Sequence, residues 1–151
     1  MKKLTLNIIH KDGKVLLGKK KKGFGSGFWN GFGGKVEPGE DFETAAMREL
    51  SEEAGILPKK YDHMAILKLF YTDQSMEVHV YKTHDYDGEP VETDEMAPQW
   101  FDEDKIPFDN MWPDDIHWMP YFLKNAKIKA EFKFDKDYRI TSHNIEEHES
   151  L

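Results

Sequence analysis

The sequence contains no cysteine, which excludes disulfide bonds and thiolate-ligated metal sites. A long apolar segment is also absent, because the N-terminal run within MKKLTLNIIHKDGK is short and is interrupted by Asn7 and His10. Such a run is too short for a membrane span and lacks the pattern of a signal peptide. We therefore predict a cytoplasmic protein with no membrane partner.

Positive charge is in deficit as well. The 151 residues have a formal net charge of −8 at pH 7, with 29 acidic against 21 basic side chains. Proteins that bind nucleic acid polymers are normally basic, because they neutralise phosphates along the strand. We therefore expect no binding to a nucleic acid polymer. We also expect the protein to be a monomer. A small polyphosphate remains a suitable ligand if divalent cations accompany it.

What is present indicates a folded domain. Aromatic residues make up 13% of the chain, enough for a core, and the length is typical of one domain. Asp12-Gly13 lies between two apolar segments and predicts a hairpin turn. Helical periodicity extends from about Asp41 to Ala54, and Gly55 is a suitable C-cap.

The rest of the chain predicts strands and a second helix. Strands are indicated in LTLNIIH, KVLLGKK, HMAILKLFYT, MEVHVYKTH, APQWFDEDKIPF and AEFKFDKDY. The second helix is expected to begin at Asp114 or Asp115, although Pro120 opposes its continuation. Because strands and helices are mixed without regular βαβ repeats, we predict an α+β fold with a mixed sheet. The polar residues 142–151 are expected to form a frayed tail.

The first predicted helix contains three closely spaced carboxylates. Glu49 precedes Glu52 by three positions and Glu53 by four, so we expect all three on one face. Like charges at this spacing destabilise an isolated helix by about 0.2–0.5 kcal/mol per pair. The cluster is either a solvated acidic face or a set of oxygen ligands for a hard cation such as Mg²⁺ or Mn²⁺.

A longer pattern around this helix favours the second interpretation. From Gly34 to Ile56 the chain has the pattern G-x5-E-x7-R-E-L-x-E-E-x-G-I, which resembles the Nudix box at every fixed position. The resemblance implies a Nudix fold, a mixed β-sheet sandwiched between helices, as a single domain over residues 1–151. It also implies a loop–helix–loop that holds Mg²⁺, or Mn²⁺, against a nucleoside diphosphate linked to another group.

The same resemblance implies roles for the acidic residues. Glu49, Glu52 and Glu53 match metal ligands and are counted as catalytic. Glu53 is the first choice for the general base, ahead of Glu52 and Glu95. Gly33 would add a backbone carbonyl to the metal site, and Glu95 would add a further carboxylate.

Arg48 is also counted with the catalytic residues. It is similar to an arginine that holds a carboxylate in place, while Glu40 matches a residue that braces the loop. From the residues alone, Arg48 is equally consistent with an ordinary surface salt bridge, which contributes about 0–1 kcal/mol.

Segments outside the box are similar to the MutT-like branch that hydrolyses oxidised purine nucleoside triphosphates. These segments are KKGFGSGFWNGFGGKV, VETDEMAPQWF, IPF and MWPDD. The resemblance implies that Asn30, Asp114 and Asp115 recognise the base. An amide offers a donor and an acceptor, and two carboxyls in one buried pocket can share a proton. Alternatively, Asp114 caps the following helix and Asp115 fills its first turn.

The resemblance extends to the walls of a nucleotide site. Trp112 matches a platform on which the base stacks, although a lone tryptophan before a helix is more often a core residue. The other positions expected to contact substrate are Thr5, Lys20, Phe24, Phe32, Gly33, Gly34, Lys35, Met96 and Pro113. Leu67 and Leu69 occupy positions where this branch usually has an aromatic pair, so the base preference can differ.

The function implied is hydrolysis of oxidised purine (deoxy)nucleoside triphosphates such as 8-oxo-dGTP to the monophosphate and pyrophosphate. Removal of such nucleotides from the pool avoids DNA damage. Tyr71, fifteen residues after Ile56, resembles a tyrosine that marks the branch acting on dinucleoside polyphosphates, which is an alternative substrate class. The lack of the proline found there in the ADP-ribose branch disfavours that substrate. Two further alternatives are an acidic interaction domain and a nucleotide-binding module without catalysis. The latter is expected to lack a carboxylate or Arg48, and none is missing.

Overall fold

The computed structural model describes residues 1–151 and contains eight β-strands and two α-helices. The strands are β1 (Lys2–Lys11), β2 (Lys14–Lys20), β3 (Trp29–Asn30), β4 (Leu57–Phe70), β5 (Ser75–Asp87), β6 (Met96–Asp102), β7 (Lys127–Phe134) and β8 (Ile140–His148). The helices are α1 (Phe42–Ala54) and α2 (Asp115–Leu123), and short 3₁₀ helices span Glu103–Lys105 and Phe108–Asn110. Neither α-helix has the length and apolarity that a membrane crossing requires.

All eight strands belong to one mixed sheet. Its order is β3-β2-β1-β5-β4-β7-β8, and β6 pairs with β2 outside this path. β1 is parallel to β5 and β4 is parallel to β7, while β1–β2, β4–β5 and β7–β8 are antiparallel. The predicted α+β class with a mixed sheet is confirmed.

Local signals explain the first hairpin and the first helix. Asp12 and Gly13 have φ angles of 54° and 74°, as a two-residue type I′ turn requires. Asp41 caps α1, because its carboxylate accepts a hydrogen bond from the Thr44 amide at 2.7 Å. Gly55 ends the helix in the left-handed conformation, with φ 69°. The predicted hairpin and helix are confirmed.

The two helices cover opposite faces of the sheet. α2 packs on one face through Trp118 and Phe122, which belong to a cluster of 19 buried residues. α1 packs on the other face through Leu50, in a second cluster of 7 buried residues. Alternation along β1 explains the division, since Ile8 belongs to the first cluster and Ile9 to the second.

The prediction of a frayed tail is wrong for residues 142–148, which belong to β8. β8 pairs antiparallel with the whole length of β7 and completes the sheet. Only Ile140 and Ile145 pack from this strand against the larger cluster, so its alternation is too weak to indicate a strand. The backbone hydrogen bonds to β7, rather than apolar side chains, account for its order.

Candidate active site

Two adjoining cavities lie beside the glycine-rich segment, residues 21–41, which connects β2 to α1 and contains β3. The apolar cavity has a volume of about 250 Å³, and 11 of its 20 lining residues are hydrophobic. The polar cavity, of about 280 Å³, has one hydrophobic residue among eight. Lys20, Asn30, Gly31 and Gly33 line both cavities. A ligand with an aromatic part and a charged part suits this pair.

Glycine is required where this segment crosses β1. A Cβ atom on Gly33 would lie 1.8 Å from the Thr5 carbonyl oxygen, so only glycine fits there. The close approach lets the Gly33 amide donate to Glu53 Oε1 at 2.7 Å. The Thr5 amide donates to the Gly34 carbonyl at 2.9 Å and fixes the segment on β1. The Gly33 carbonyl accepts no hydrogen bond from the protein and is available to a ligand.

The three carboxylates of α1 occupy different environments, which corrects the expectation of one shared face. Glu52 is exposed, with 60% of its side chain accessible, whereas Glu53 is buried and lines the polar cavity. Consecutive helical residues point about 100° apart, which separates these two side chains. Glu49 packs against Gly34, where a Cβ atom would lie 2.7 Å from Glu49 Oε1.

Arg48 relieves the repulsion among the acidic groups. Its Nε and Nη2 atoms donate to the two carboxylate oxygens of Glu40 at 2.8 and 2.9 Å. Its Nη1 atom donates to Glu49 at 2.9 Å and to Glu52 at 3.2 Å. The hydrogen bond from Arg48 lowers the pKa of Glu40 to about 2. Arg48 thus ties the loop before α1 to two carboxylates of the helix.

Burial strongly affects the protonation of Glu53. Burial, and after it the charge of Glu49, raises the pKa of Glu53 to about 8, with a smaller contribution from Glu95. Burial also raises the pKa of Glu49. Glu53 and Glu95 line the polar cavity together with two basic residues, Lys20 and Lys22.

The oxygen atoms of this region fit a hard divalent cation. Glu53 Oε2 accepts no hydrogen bond from the protein, and the Gly33 carbonyl is likewise without a partner. Carboxylate and carbonyl oxygens are the ligands that Mg²⁺ and Mn²⁺ prefer. The side chains do not gather three or more acidic or histidine groups around one point, because Arg48 holds two of the carboxylates.

Asp114 and Asp115 line the apolar cavity, and each is 3% exposed. Trp118 Nε1 donates to Asp114 Oδ2 at 3.0 Å and to Asp115 Oδ1 at 3.1 Å. Asp114 Oδ1 and Asp115 Oδ2 are buried without a partner. Burial raises the pKa of both carboxyls, and the charge of Asp114 raises the pKa of Asp115 further. The pair can therefore present a donor and an acceptor to one ligand.

The structure does not support the capping interpretation of Asp114. The residue precedes α2, as a cap would, but its side chain makes no capping hydrogen bond. The capping interpretation is therefore wrong. Asn30, on β3, adds a further polar group to the same cavity. Its Oδ1 accepts from the Gly31 amide at 3.0 Å, so Nδ2 remains available as a donor.

Aromatic rings form one wall of the apolar cavity. Phe24 stacks on Trp112 with ring centroids 5.1 Å apart, and Phe28 contacts the same indole edge-on at 5.1 Å. Tyr71, just after β4, lines the cavity and stacks on Phe134 at 4.5 Å. Such a wall suits a flat, apolar ring.

Most of the predicted site residues line the two cavities. The apolar cavity contains Thr5, Lys20, Phe24, Asn30, Gly33, Gly34, Trp112, Asp114 and Asp115, and the polar cavity contains Lys20, Asn30, Gly33, Glu53, Glu95 and Met96. Phe32 does not, because it is fully buried with Leu50 beneath α1, and this corrects its assignment. Neither cavity is lined by Arg48, Glu49, Glu52, Lys35 or Pro113. The Lys35 carbonyl instead accepts from Arg48 at 3.3 Å.

Several lining residues are absent from the predicted set. They are Leu4, Leu6, Gly25, Phe28, Gly31, Leu67, Leu69, Tyr71, Met76, Val78 and Trp118 in the apolar cavity, and Lys22 in the polar one. Leu67, Leu69 and Tyr71 alternate along the chain, so their shared face follows from the period of a strand. Trp118 has no comparable signal, because its position depends on the packing of α2.

Comparison with known proteins agrees with this geometry. The NUDIX domain profile matches residues 4–122. A protein of Danio rerio named oxidized purine nucleoside triphosphate hydrolase is 47% identical over 152 residues, covering 99% of this chain and 97% of that protein. The protein of the same name in Mus musculus is 42% identical over 150 residues, covering 97% and 96%. A MutT protein from Bacillus halodurans shares the fold, with a TM-score of 0.86, 22% identity and coverage of 97% and 98%.

Proposed function

The chain belongs to the Nudix family, and from this premise we propose that it hydrolyses oxidised purine (deoxy)nucleoside triphosphates such as 8-oxo-dGTP. The products are the nucleoside monophosphate and pyrophosphate. The observation behind the proposal is the junction of the two cavities, because one is apolar and contains an aspartate pair while the other is polar and contains Glu53. The names of the relatives from Danio rerio and Mus musculus support the same substrate class.

The base is assigned to the apolar cavity. Trp112 and Phe24 offer ring faces, and Asn30 offers an amide donor. Asp114 and Asp115 each direct an unpaired oxygen into a buried space. Because the pair can share a proton, it can match more than one pattern of ring donors and acceptors. This would accommodate both 8-oxoguanine and 2-hydroxyadenine, which differ in those patterns.

The triphosphate is assigned to the polar cavity. Lys20, which also donates to the Phe24 carbonyl at 2.7 Å, adds positive charge at the junction of the two cavities. Nudix hydrolases generally need a divalent metal ion. We assign Mg²⁺, with Mn²⁺ as a substitute, to oxygens of Gly33, Glu49, Glu52, Glu53 and Glu95. A bound ion would neutralise phosphate oxygens and lower the pKa of the attacking water.

The chemical step is water attack at the β-phosphorus. A new bond forms between the water oxygen and this phosphorus, and the bond to the α,β-bridging oxygen breaks, so the monophosphate leaves with that oxygen. Glu53 is assigned as the general base, because its free Oε2 atom lies at the polar cavity, while Glu52 and Glu95 are second choices. A bound cation would favour the ionised carboxylate that this role requires and so oppose the effect of burial on the pKa of Glu53. Arg48 positions Glu49 and Glu52.

No structural observation favours the alternative functions. Tyr71, which suggested a dinucleoside polyphosphate substrate, lines the base cavity and therefore has a role with a single purine as well. The box retains all its carboxylates and Arg48, so a module without catalysis is not favoured either. The net charge of −8 disfavours a nucleic acid polymer as a ligand. As part of the same proposal, the enzyme is a monomer and is cytoplasmic.

The experiment that tests the proposal compares 8-oxo-dGTP with dGTP under steady-state conditions, with pyrophosphate measured as the product. We expect a higher kcat/KM for 8-oxo-dGTP and release of pyrophosphate rather than single phosphate. Dinucleoside tetraphosphate is assayed in parallel. Preferential cleavage of that compound, or equal kcat/KM for the two nucleotides, would overturn the proposed substrate.

Glu53→Gln tests the assignment of the general base. The amide retains an oxygen that can accept the Gly33 hydrogen bond, so folding should be preserved, while proton abstraction is lost. We expect kcat to fall by about 10²–10⁴-fold. Glu131→Gln, on the exposed face of β7, is the control and should keep normal activity. Near-normal kcat in Glu53→Gln would remove this residue as the base.

A further inference from the structure

The turn between β7 and β8 places a tyrosine in a backbone conformation that tyrosine rarely adopts. Tyr138 has φ 61°, in the left-handed region that favours glycine and asparagine. A bulky residue persists there only when the surrounding structure imposes the conformation. The position therefore calls for an explanation beyond closing a turn.

The turn is fixed by one aspartate. Asp135 Oδ1 accepts hydrogen bonds from the amides of Asp137 at 2.8 Å and Arg139 at 3.0 Å. The Tyr138 amide donates to the Asp135 carbonyl at 3.1 Å, and the Asp135 amide donates to the Arg139 carbonyl at 2.8 Å. The backbone of Tyr138 is thus held by its neighbours, and the residue, which is 38% exposed, lies with its ring against aromatic residues of the cavity wall.

The ring of Tyr138 contacts three aromatic residues that line the apolar cavity. Its centroid lies 5.7 Å from Tyr71, 5.8 Å from Phe24 and 6.3 Å from Trp112. These are ordinary distances for attractive aromatic pairs. The three partners come from different parts of the chain, namely the end of β4, the glycine-rich segment and the residues before α2. Tyr138 contacts all three from a position outside the cavity lining.

The exposed ring of Phe24 is the partner that depends most on this contact. Gly23, Gly25 and Gly27 all have positive φ, and Phe24 between them is 60% exposed. A Cβ atom on Gly25 would lie 3.0 Å from the Trp112 ring, so this segment rests directly on the indole. The backbone here is held by hydrogen bonds, including the one from Lys20 Nζ to the Phe24 carbonyl at 2.7 Å, but the Phe24 ring packs only against the rings of Trp112 and Tyr138.

We propose that Tyr138 is a positioning residue for the purine base, which holds Trp112 and Phe24 in the geometry that binds the base. The inference rests on the proposed function, since it assigns a role to a residue behind the base cavity. Tyr138 does not line the cavity itself, so it acts through its partners and sets the affinity for the base rather than the chemical step. Removing its ring should therefore raise KM and leave kcat unchanged.

The test compares Tyr138→Gly with Tyr138→Phe, with 8-oxo-dGTP and with inorganic tripolyphosphate as a ligand that lacks a base. Glycine removes the ring and tolerates the positive φ, whereas phenylalanine keeps the ring. We expect Tyr138→Gly to raise KM for 8-oxo-dGTP about tenfold with kcat within about twofold of wild type. Tyr138→Phe should restore the wild-type KM. Inhibition by tripolyphosphate should be equal in all three proteins.

Arg139→Ala is the control for loosening of the turn, because it removes ion pairs with Asp135 and Asp137 but keeps the Tyr138 ring. It should lower the melting temperature without changing KM. Tyr138→Asn, which also tolerates positive φ, replaces Tyr138→Gly if the glycine variant fails to fold. An unchanged KM in the ring-deleted variant, or an equal rise in Arg139→Ala, would overturn the positioning role. Wild-type protein inactive on 8-oxo-dGTP would instead overturn the proposed function and this inference with it.

Discussion

Asp114 and Asp115 share the single N–H group of Trp118, and each keeps one buried oxygen without a partner. In the folded protein the pKa of both carboxyls lies above the ordinary value of 3.8. The folded state therefore binds more protons than the unfolded state above that value. The contribution of the pair to the free energy of unfolding is therefore greatest below about pH 4. It declines as the pH rises through the pKa values of the folded protein.

Asp115→Asn should consequently stabilise the protein at pH 7 while impairing its activity. The substitution removes a buried charge beside Asp114, which we expect to raise the free energy of unfolding by about 1–3 kcal/mol. Urea unfolding at pH 5 and pH 7 measures the effect, and the gain should be larger at pH 7. Asp109→Asn, at an exposed position, is the control. Loss of stability at pH 7 in Asp115→Asn would show that the buried charge of the pair does not destabilise the folded protein.

Gly33→Ala tests the close approach between the glycine-rich segment and β1. The added Cβ atom would meet the Thr5 carbonyl at 1.8 Å, and backbone atoms cannot move aside as a flexible side chain can. We expect a loss of about 3 kcal/mol or more in the free energy of unfolding. Activity should fall as well, because the Gly33 amide supports Glu53.

Gly39→Ala provides the matched control. Gly39 has φ 81° with no atom within 4 Å of an added Cβ, so alanine there meets backbone strain but no collision. The expected cost is about 1 kcal/mol, with activity retained. Chemical denaturation of both variants separates the two causes. Equal losses would mean that positive φ, rather than the contact with Thr5, explains why glycine is needed.

At the scale of elements, local signals decide which parts of the fold the sequence can predict. The β1–β2 turn depends on Asp12 and Gly13, and α1 depends on Asp41 and Gly55, which lie at its ends. β8 has no such signal, because its side chains are mostly polar and exposed. Its order comes from hydrogen bonds to β7, a partner that only the assembled sheet supplies.

The strands β4 and β5 also form a stack of rings against α1. His63 lies between His79 and Tyr81, with centroids 4.8 and 4.7 Å away, and His79 stacks on Phe42 at 3.5 Å. Burial, and after it the positive charge of His79, lowers the pKa of His63 to about 4. Burial also lowers the pKa of His79, while Glu77 opposes this change.

The histidine stack predicts acid sensitivity. Below about pH 6.5 the unfolded chain gains protons that folded His63 does not accept, so stability falls as the pH drops towards 4. His63→Phe keeps a stacked ring that cannot titrate. It should reduce the loss between pH 6.5 and 4 by about 1–2 kcal/mol, measured by urea unfolding at several pH values. His84→Phe, at an exposed histidine, is the control for replacing a histidine by phenylalanine. A profile unaltered by His63→Phe would contradict the assignment.

At the scale of the whole molecule, the candidate site shows where prediction from sequence ends. The carboxylates of α1 are identified by their spacing within one segment. The different environments of Glu52 and Glu53 cannot be identified from spacing, because they depend on a sheet and a loop that pack against one side of the helix. Tyr138 is separated from Phe24 by most of the chain and meets it only in the folded protein. Residues joined by tertiary packing alone therefore give no pattern in the sequence.

The net charge of −8 makes cation dependence a property of the whole molecule. A triphosphate is itself anionic, so its entry into a cavity lined by Glu53 and Glu95 is opposed unless a divalent ion accompanies it. Each ligand should therefore strengthen binding of the other. The melting temperature should rise more with both than the sum of the separate rises.

Thermal unfolding with Mg²⁺, with an α,β-methylene analogue of 8-oxo-dGTP, and with both measures this coupling without turnover. Ionic strength is held constant with NaCl, because salt alone screens the acidic surface. At ligand concentrations about 100 times Kd, binding stabilises the folded state by about 2.7 kcal/mol. A chelator should abolish the joint effect, and Mn²⁺ should restore it. No shift with both ligands present would contradict nucleotide binding and favour an acidic interaction domain, since a ligand that binds only the folded state must stabilise it.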